Sequence, residues 1–163
     1  MTEAGEFRLV STNRLSGLGP TEGRDVEPAC SWKRFMPHQQ VTGRNSQSQD
    51  IHMIVEGRVG VANYALSGGE VTLDELPEEN YFGELSAIDG RSWLARVISL
   101  TNSLFAALPV KAFLDVMKRQ PPIASKVLAK LAGVVRASNE RIMALSTFGA
   151  NNQVHAELLR QAR

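Results

Sequence analysis

Short apolar runs alternate with turn residues about every ten positions between Trp32 and Leu108. This spacing predicts a series of short β-strands, over residues 32–36, 51–56, 58–65, 71–76, 94–100 and 103–108. Ser67, Gly68 and Gly69 supply a hairpin turn between the third and the fourth of these strands. Many short strands separated by regular turns predict a β-sandwich or a β-barrel.

The apolar period becomes helical after Pro109. Proline suits the first turn of a helix, because an N–H group there would have no acceptor within the helix. Phe113, Leu114 and Met117 form the apolar side of this predicted helix. Two consecutive prolines, at positions 121 and 122, separate it from a second and longer helix.

The longer helix is predicted to run from Pro121 to a C-cap at Gly149, and a new helix is predicted over residues 153–163. One face of the longer helix has apolar or small residues at the 3, 4, 3, 4, 3 spacing of a heptad pattern. We call this face the seam, and it consists of Leu128, Leu131, Val135, Ser138, Ile142 and Leu145. The seam predicts pairing with a second copy of the chain. Burial against the β domain would explain the same spacing, but Val127 and Val134 beside the seam offer a second apolar face for that purpose.

The composition excludes several classes of protein. The chain has 163 residues and a formal net charge of +1, which is not the strong basic excess of a stand-alone nucleic-acid binder. Cys30 is the only cysteine, so an intrachain disulfide is impossible and an iron–sulfur cluster would lack ligands. No apolar run reaches the ~18–20 residues of a membrane span, and the first residues lack a signal-peptide pattern. We therefore expect a cytoplasmic protein without a membrane segment.

Patterns for catalysis and for metal binding are missing from the sequence. His38, His52 and His155 are widely spread and lack the close spacing of metal ligands. The sequence contains neither a Gly-x-x-x-x-Gly-Lys phosphate loop nor a Gly-x-Ser-x-Gly nucleophile turn. We therefore expect no catalytic residues and no metal, and the chain is not predicted to be an enzyme.

The stretch with the most chemical information is YFGELSAIDGRSWLARV, over residues 81–97. Gly83 would let the backbone approach a ligand closely, because it has no side chain. Backbone N–H groups of a turn or a helix start can bind an anion. Glu84 could accept hydrogen bonds from a pair of sugar hydroxyls. A surface turn would explain the same residues when they are considered alone.

FGELSAIDG resembles the phosphate-binding cassette of cyclic-nucleotide-binding domains, in the form common among bacterial Crp/Fnr-type regulators, and IHMIVEGRVGV resembles the strand–Gly–strand signature that precedes it. The resemblance covers roughly residues 32–159. It implies an α+β fold, in which an antiparallel β-roll (a double-stranded β-helix or jelly roll) is followed by a long dimerisation helix. It also implies a cyclic nucleotide such as cAMP as effector, and a winged helix-turn-helix after the long helix in complete members.

The resemblance also assigns roles to individual residues. Gly83 matches the glycine whose amide meets the phosphate, and Glu84 matches the carboxylate that binds the ribose 2′-hydroxyl. Leu85 and Ser86 match the turn where backbone amides face the ligand. The long-helix positions that can contact the purine base are Ser138 and Asn139, and Ser138 is also the polar member of the seam.

The sequence departs from the family pattern directly after FGELSAIDG. Trp93 occupies the position of the arginine that pairs with the phosphate, and Leu94 occupies the position of a frequent second hydroxyl contact. Arginine makes a bidentate, charge-assisted contact with a phosphate, whereas tryptophan offers one N–H and no charge. Arg91 and Arg96 lie close by in the sequence and could pair with the phosphate in place of the missing arginine. The alternative is that both are solvated charges at the surface. We therefore expect weak binding of cAMP or none.

Two glycines of the family pattern are replaced as well. His38 and Glu79 stand in their places. Both positions belong to turns, so the replacements bear on turn geometry rather than on ligand chemistry.

Four segments follow from these observations. Residues 1–28 are a loose lead-in with a short helix near residues 7–13, and residues 29–120 form the cyclic-nucleotide-binding-like β-roll with a short helix. Residues 121–149 form the dimerisation helix, and residues 150–163 begin a truncated DNA-binding domain.

Three functions fit this organisation. The first is the effector-sensing and dimerising part of a transcription regulator, which binds DNA only through a domain beyond residue 163. The second is the same fold with a degenerate pocket, which takes another effector or none and serves mainly for dimerisation. The third is a regulatory module for a different output such as a cyclase or a channel.

Overall fold

A computed structural model describes residues 26–43, 46, 48–64 and 70–161. The predicted helix near residues 7–13 and the Ser67–Gly69 turn residues lie outside this part of the chain. The strands are β1 Ser31–Phe35, β2 Gln40–Thr42, β3 Ile51–Glu56, β4 Val59–Tyr64, β5 Glu70–Leu76, β6 Tyr81–Phe82, β7 Arg96–Ser99 and β8 Ser103–Leu108. The helices are α1 Glu84–Asp89, α2 Val110–Arg119 and α3 Pro121–Gln161.

The strands form two four-stranded antiparallel sheets. One has the order β1-β8-β3-β6 and the other the order β2-β7-β4-β5. Strands β4 and β5 are neighbours in register from Val59–Leu76 to Tyr64–Glu70, which confirms the predicted hairpin. Two antiparallel sheets followed by a long helix confirm the predicted fold class.

The core lies around the two central strands of the first sheet. All six residues of β8 and the first four of β3 are buried. Phe105 and Ile54 have no exposed surface, and each such apolar side chain contributes roughly 1.5–3 kcal/mol through its burial. The core cluster that surrounds them is completed by Val59, Phe82, Trp93 and Val97.

Two strands were not predicted from the sequence, because they are too short to show an alternation of apolar and polar residues. Strand β2 has three residues and β6 has two. The predicted strand over residues 94–100 begins later than expected, at Arg96, and Leu94 is 64% exposed in the loop before it.

Helix α2 begins directly after Pro109, as predicted, with Pro109 as its N-cap residue. Its buried residues are Phe113 and Val116, and the predicted apolar positions Leu114 and Met117 are half-buried.

Helix α3 corrects the predicted end of the long helix. It runs from Pro121 to Gln161, so Gly149 is not its C-cap and no separate helix begins at Gln153. A glycine inside a helix costs only about 1 kcal/mol relative to alanine, whereas ending and restarting a helix requires a costly new nucleus. From Ala124 onward the helix forms a compact unit of its own. Among the described residues, no helix is sufficiently apolar over its length to cross a bilayer.

The two replaced glycines keep a glycine-like backbone. His38 has φ 64° and Glu79 has φ 68°, which is the left-handed region. The N–H of His38 donates to the carbonyl of Ser99 at 2.7 Å, and the N–H of Glu79 donates to the carbonyl of Ile54 at 2.9 Å. The turns are therefore retained, at a cost of roughly 1–2 kcal/mol for each side chain in this conformation.

Candidate effector site

The segment that resembles the phosphate-binding cassette, residues 82–90, is called the cassette below. It begins with a turn between β6 and α1. Gly83 has φ 104°, and the helix starts at the next residue. A Cβ atom at Gly83 would lie 2.8 Å from the carbonyl oxygen of Asp50 and 2.8 Å from Cη2 of Trp93. Only glycine fits this position, because both the conformation and the space exclude a side chain.

Helix α1 presents its carboxylate and its hydroxyl to the interior. Glu84 is 7% exposed and Ser86 is 4% exposed, whereas Leu85 points outward with 42% of its surface exposed. Burial, together with the charge of Glu84, raises the pKa of the Tyr81 phenol to about 12, so this carboxylate acts on the aromatic residue before the cassette. A carboxylate in the first turn is also favoured by the helix dipole.

Trp93 lies inside the roll beside the cassette. Its side chain belongs to the buried core cluster, with 7% of the residue exposed. The indole N–H donates a hydrogen bond to the carbonyl of Ser48 at 2.7 Å. The ring packs edge-on against Phe82 and His52, with centroid distances of 6.1 and 6.0 Å. The residue that replaces the expected arginine is thus a packed and hydrogen-bonded part of the core.

Residues 48–50, which we call the strap, contact both ends of α1. At the helix start, the carbonyl of Asp50 faces Gly83. At the helix end, the side-chain amide of Gln49 donates to the carbonyl of Gly90 at 2.8 Å. Together with the bond from Trp93 to Ser48, these contacts connect the strap to the whole length of the cassette.

The other residues around Trp93 have different surroundings. The side chain of Arg91 is 84% exposed and lies 3.9 Å from the Asp89 carboxylate, which is the arrangement of a solvated surface charge. Leu94 is also exposed. Arg96 is half-buried in β7, opposite Ala62 of β4. Of the residues predicted around the phosphate, the structure therefore brings Trp93 against Gly83 and leaves Arg91 and Leu94 at the surface.

His52 is a component of this region that the sequence did not identify. It stacks on Phe82 with the ring planes 6° apart, and its Nδ1–H donates to the carbonyl of Asp50 at 3.1 Å. Burial, and to a lesser extent the charge of Lys33, lowers its pKa to about 4, against an opposing effect of Asp50. The one available signal was its place between two apolar residues that are also buried, at the start of β3.

The long-helix residues are exposed. Ser138 and Asn139 lie on the exposed part of α3, and Leu131 is half-buried. Four residues of the seam have between 59% and 71% of their surface exposed: Leu128, Val135, Ile142 and Leu145.

Comparison with known proteins gives a consistent result. The family model for the cyclic nucleotide-binding domain matches residues 32–120. The cyclic AMP receptor protein of Thermus thermophilus is 28% identical over 150 residues, which are 90% of this chain and 68% of that protein.

Solved structures have the same fold. The catabolite activator protein of Thermus thermophilus superimposes with a TM-score of 0.73 at 23% identity, over 81% of this chain and 62% of that one. The sensor domain of the transcriptional regulator DNR from Pseudomonas aeruginosa gives 0.64 at 19% identity, over 76% of this chain and 84% of that domain. The chain thus spans about two thirds of the length of its full-length relatives.

Proposed function

Because the chain belongs to the cyclic nucleotide-binding domain family, we propose that it is the effector-sensing and dimerising region of a Crp/Fnr-type transcription regulator. The observation that carries this proposal is the cassette. Gly83, with its left-handed backbone, positions α1 so that Glu84 is buried at the helix start. No step of this function requires catalysis, so the chain acts by binding.

The cassette suits a ligand that has both a phosphate and a sugar. The first-turn N–H groups of α1 are the donors for a phosphate, and the Glu84 carboxylate is the acceptor for the ribose hydroxyls. A cAMP-like nucleotide has these groups. Ser138 and Asn139 of the long helix are the proposed contacts to its base.

The affinity for cAMP is low because Trp93 stands in place of the arginine. A buried phosphate without its charged partner typically loses about 2–5 kcal/mol of binding free energy. At 1.4 kcal/mol per factor of ten, this corresponds to roughly 30-fold to several thousand-fold in affinity. Arg91 is exposed and paired with Asp89 on the surface, so it does not replace the missing charge in the observed conformation.

We assign to α3 the transmission of effector binding to the rest of the regulator. The exposed seam pairs two subunits, and the effector site is coupled through that helix to a DNA-binding domain that follows residue 163. The chain alone does not bind DNA specifically, since it carries a net charge of only +1.

A second function is favoured by one specific observation, the burial of Trp93. The hydrogen-bonded indole completes the interior without a ligand. A roll of this kind would serve mainly for dimerisation, or would bind an effector without a phosphate.

Nuclear magnetic resonance with millimolar cAMP tests the proposed function at low affinity. In the ¹⁵N-labelled chain, shift changes are expected at the amides of Gly83, Leu85 and Ser86 and should be lost in Glu84→Gln, which removes the carboxylate charge. Cyclic GMP and AMP serve as matched ligands. Shifts absent from the cassette at saturating nucleotide, or unchanged in Glu84→Gln, would refute cyclic-nucleotide binding at this site.

A further inference from the structure

We propose that Trp93 is a plug of the cassette: its indole closes the space beside Gly83 and the strap, and a phosphate-bearing ligand enters only after the indole has left. This inference rests on the proposed function and adds a regulatory step to it. The replacement of arginine by tryptophan then does more than remove a charge.

The indole of Trp93 leaves no room beside Gly83. A single Cβ atom at Gly83 would lie 2.8 Å from Cη2 of Trp93, closer than carbon atoms approach without displacement. A methyl group therefore does not fit between Gly83 and the indole. A phosphate is larger than a methyl group, so it cannot reach this side of Gly83 while the ring is in place.

Trp93 also differs from arginine in the partners that its polar group requires. A buried guanidinium requires an anion, because an unpaired buried charge is costly. An arginine at this position would thus leave the empty site incomplete. Trp93 has no charge, its single donor is satisfied by the carbonyl of Ser48, and its ring is enclosed by Phe82 and His52. The closed state is therefore complete without a ligand.

The plug is bonded to the strap. Ser48 accepts the hydrogen bond of the indole, and Asp50, two residues later, faces Gly83 with its carbonyl oxygen. Gln49 between them is bonded to Gly90 at the other end of α1. Removal of the indole would break the bond to Ser48 and would open the space beside Gly83, so that departure of the plug changes the strap and the cassette together.

Two substitutions distinguish a site that is blocked by the indole from a site that only lacks a positive charge. Trp93→Ala opens the space without adding a charge, and Trp93→Arg does both. Calorimetric titration of the full 163-residue chain with cAMP should give at least tenfold tighter binding for Trp93→Ala than for the wild type, and tighter binding again for Trp93→Arg. Met36→Ala, at an exposed apolar residue outside the cassette, is the control and should bind as the wild type does.

The outcomes also distinguish this inference from the function on which it rests. If Trp93→Arg gains affinity and a folded Trp93→Ala does not, the charge alone was missing, the plug is refuted and the proposed function stands. If neither folded variant binds cAMP or cGMP, both proposals fail.

Fluorescence tests the plug without a change at position 93, in case Trp93→Ala does not fold. The chain has two tryptophans, so Trp32→Phe leaves Trp93 as the only tryptophan, whose emission is excited selectively at the red edge of the absorption band. Without ligand its emission should be blue-shifted and poorly quenched by acrylamide, and with cAMP bound, as measured by equilibrium dialysis, it should shift to the red and become several-fold more quenchable. A bound nucleotide that leaves the emission buried would refute the plug.

Discussion

The indole N–H of Trp93 donates a 2.7 Å hydrogen bond to the backbone carbonyl of Ser48, which lies 45 residues earlier in the chain. This bond connects the loop before β7 with the loop before β3, on the two sides of the cassette. One residue thus belongs to the core and stands where the family resemblance places the phosphate-pairing arginine. Changes at position 93 should affect stability and ligand binding in opposite directions.

Trp93→Phe should isolate the contribution of this hydrogen bond to stability. Phenylalanine retains an aromatic ring in the core but has no N–H, so the free energy of unfolding should fall by about 1 kcal/mol from the lost bond, with a further loss from the smaller ring. Urea denaturation measures the change. Leu94→Ala, at the exposed neighbouring residue, should stay within about 0.5 kcal/mol of the wild type. Equal effects of the two substitutions would contradict the importance of the bond.

His38→Gly should stabilise the protein. The histidine is held at φ 64°, a conformation that costs a side-chain-bearing residue roughly 1–2 kcal/mol. Glycine avoids this cost but gives the unfolded chain more freedom, at a cost of roughly 0.4–1 kcal/mol. The expected net gain is about 0.5–1 kcal/mol, measured by thermal or urea unfolding. His38→Ala keeps the strain and should show no gain; a gain of the same size in the alanine variant would attribute the effect to the imidazole.

His52 should make the protein less stable in mild acid. Its pKa is about 4 in the folded chain and 6.5 ordinarily, so the unfolded state takes up the proton first as the pH falls. The stability that the neutral imidazole contributes is fully present above about pH 6.5 and is lost as the pH falls toward 4. The total effect is on the order of 3 kcal/mol.

His52→Phe provides the comparison for this pH dependence. Phenylalanine can still pack on Phe82 and cannot be protonated. Between pH 7 and pH 4.5, the free energy of unfolding in urea should therefore fall by roughly 2–3 kcal/mol less in the variant than in the wild type. Parallel declines in the two proteins would show that other groups cause the acid sensitivity.

The seam of α3 should hold two chains together. Val135 and Ile142 are seven residues apart and are each 59% exposed, so lysine at both positions should place two charges in the interface without disturbing the interior. We expect a folded monomer by light scattering and by circular dichroism. Ala144→Lys adds a charge to the exposed opposite side of the same helix and should leave the dimer intact. A wild type that is monomeric at high concentration would contradict this prediction.

The strands that contain many apolar residues could be predicted from the sequence. The limits of β3 and β8 agree with the structure, because their apolar runs end in turn residues on both sides. The resemblance to the cassette was recognisable only from the whole FGELSAIDG stretch, because Gly83 and Glu84 alone would also fit a surface turn. The end of helix α3 could not be predicted in this way. Glycine is common at helix ends, so Gly149 suggested a helix end, but the helix continues through it to Gln161.

The replacement at Trp93 indicated that the indole could fill part of the pocket, but its packing partners could not be predicted from local sequence. The surrounding residues suggest a surface loop, and both Arg91 and Leu94 are indeed exposed. The indole turns inward because its partners, Ser48 and Phe82, come from other parts of the chain. Contacts between residues distant in sequence determine the chemistry of the site, whereas the motif itself is local.

Calorimetric titration of the wild type and of Trp93→Arg with cAMP tests the central claim, a cyclic-nucleotide cassette whose phosphate position is taken by tryptophan. The wild type should bind cAMP weakly or undetectably, and Trp93→Arg should bind it at least tenfold more tightly, a gain on the order of 1.4 kcal/mol. Tight binding by the wild type that is unchanged in Trp93→Arg would contradict this claim, because another residue would then hold the phosphate.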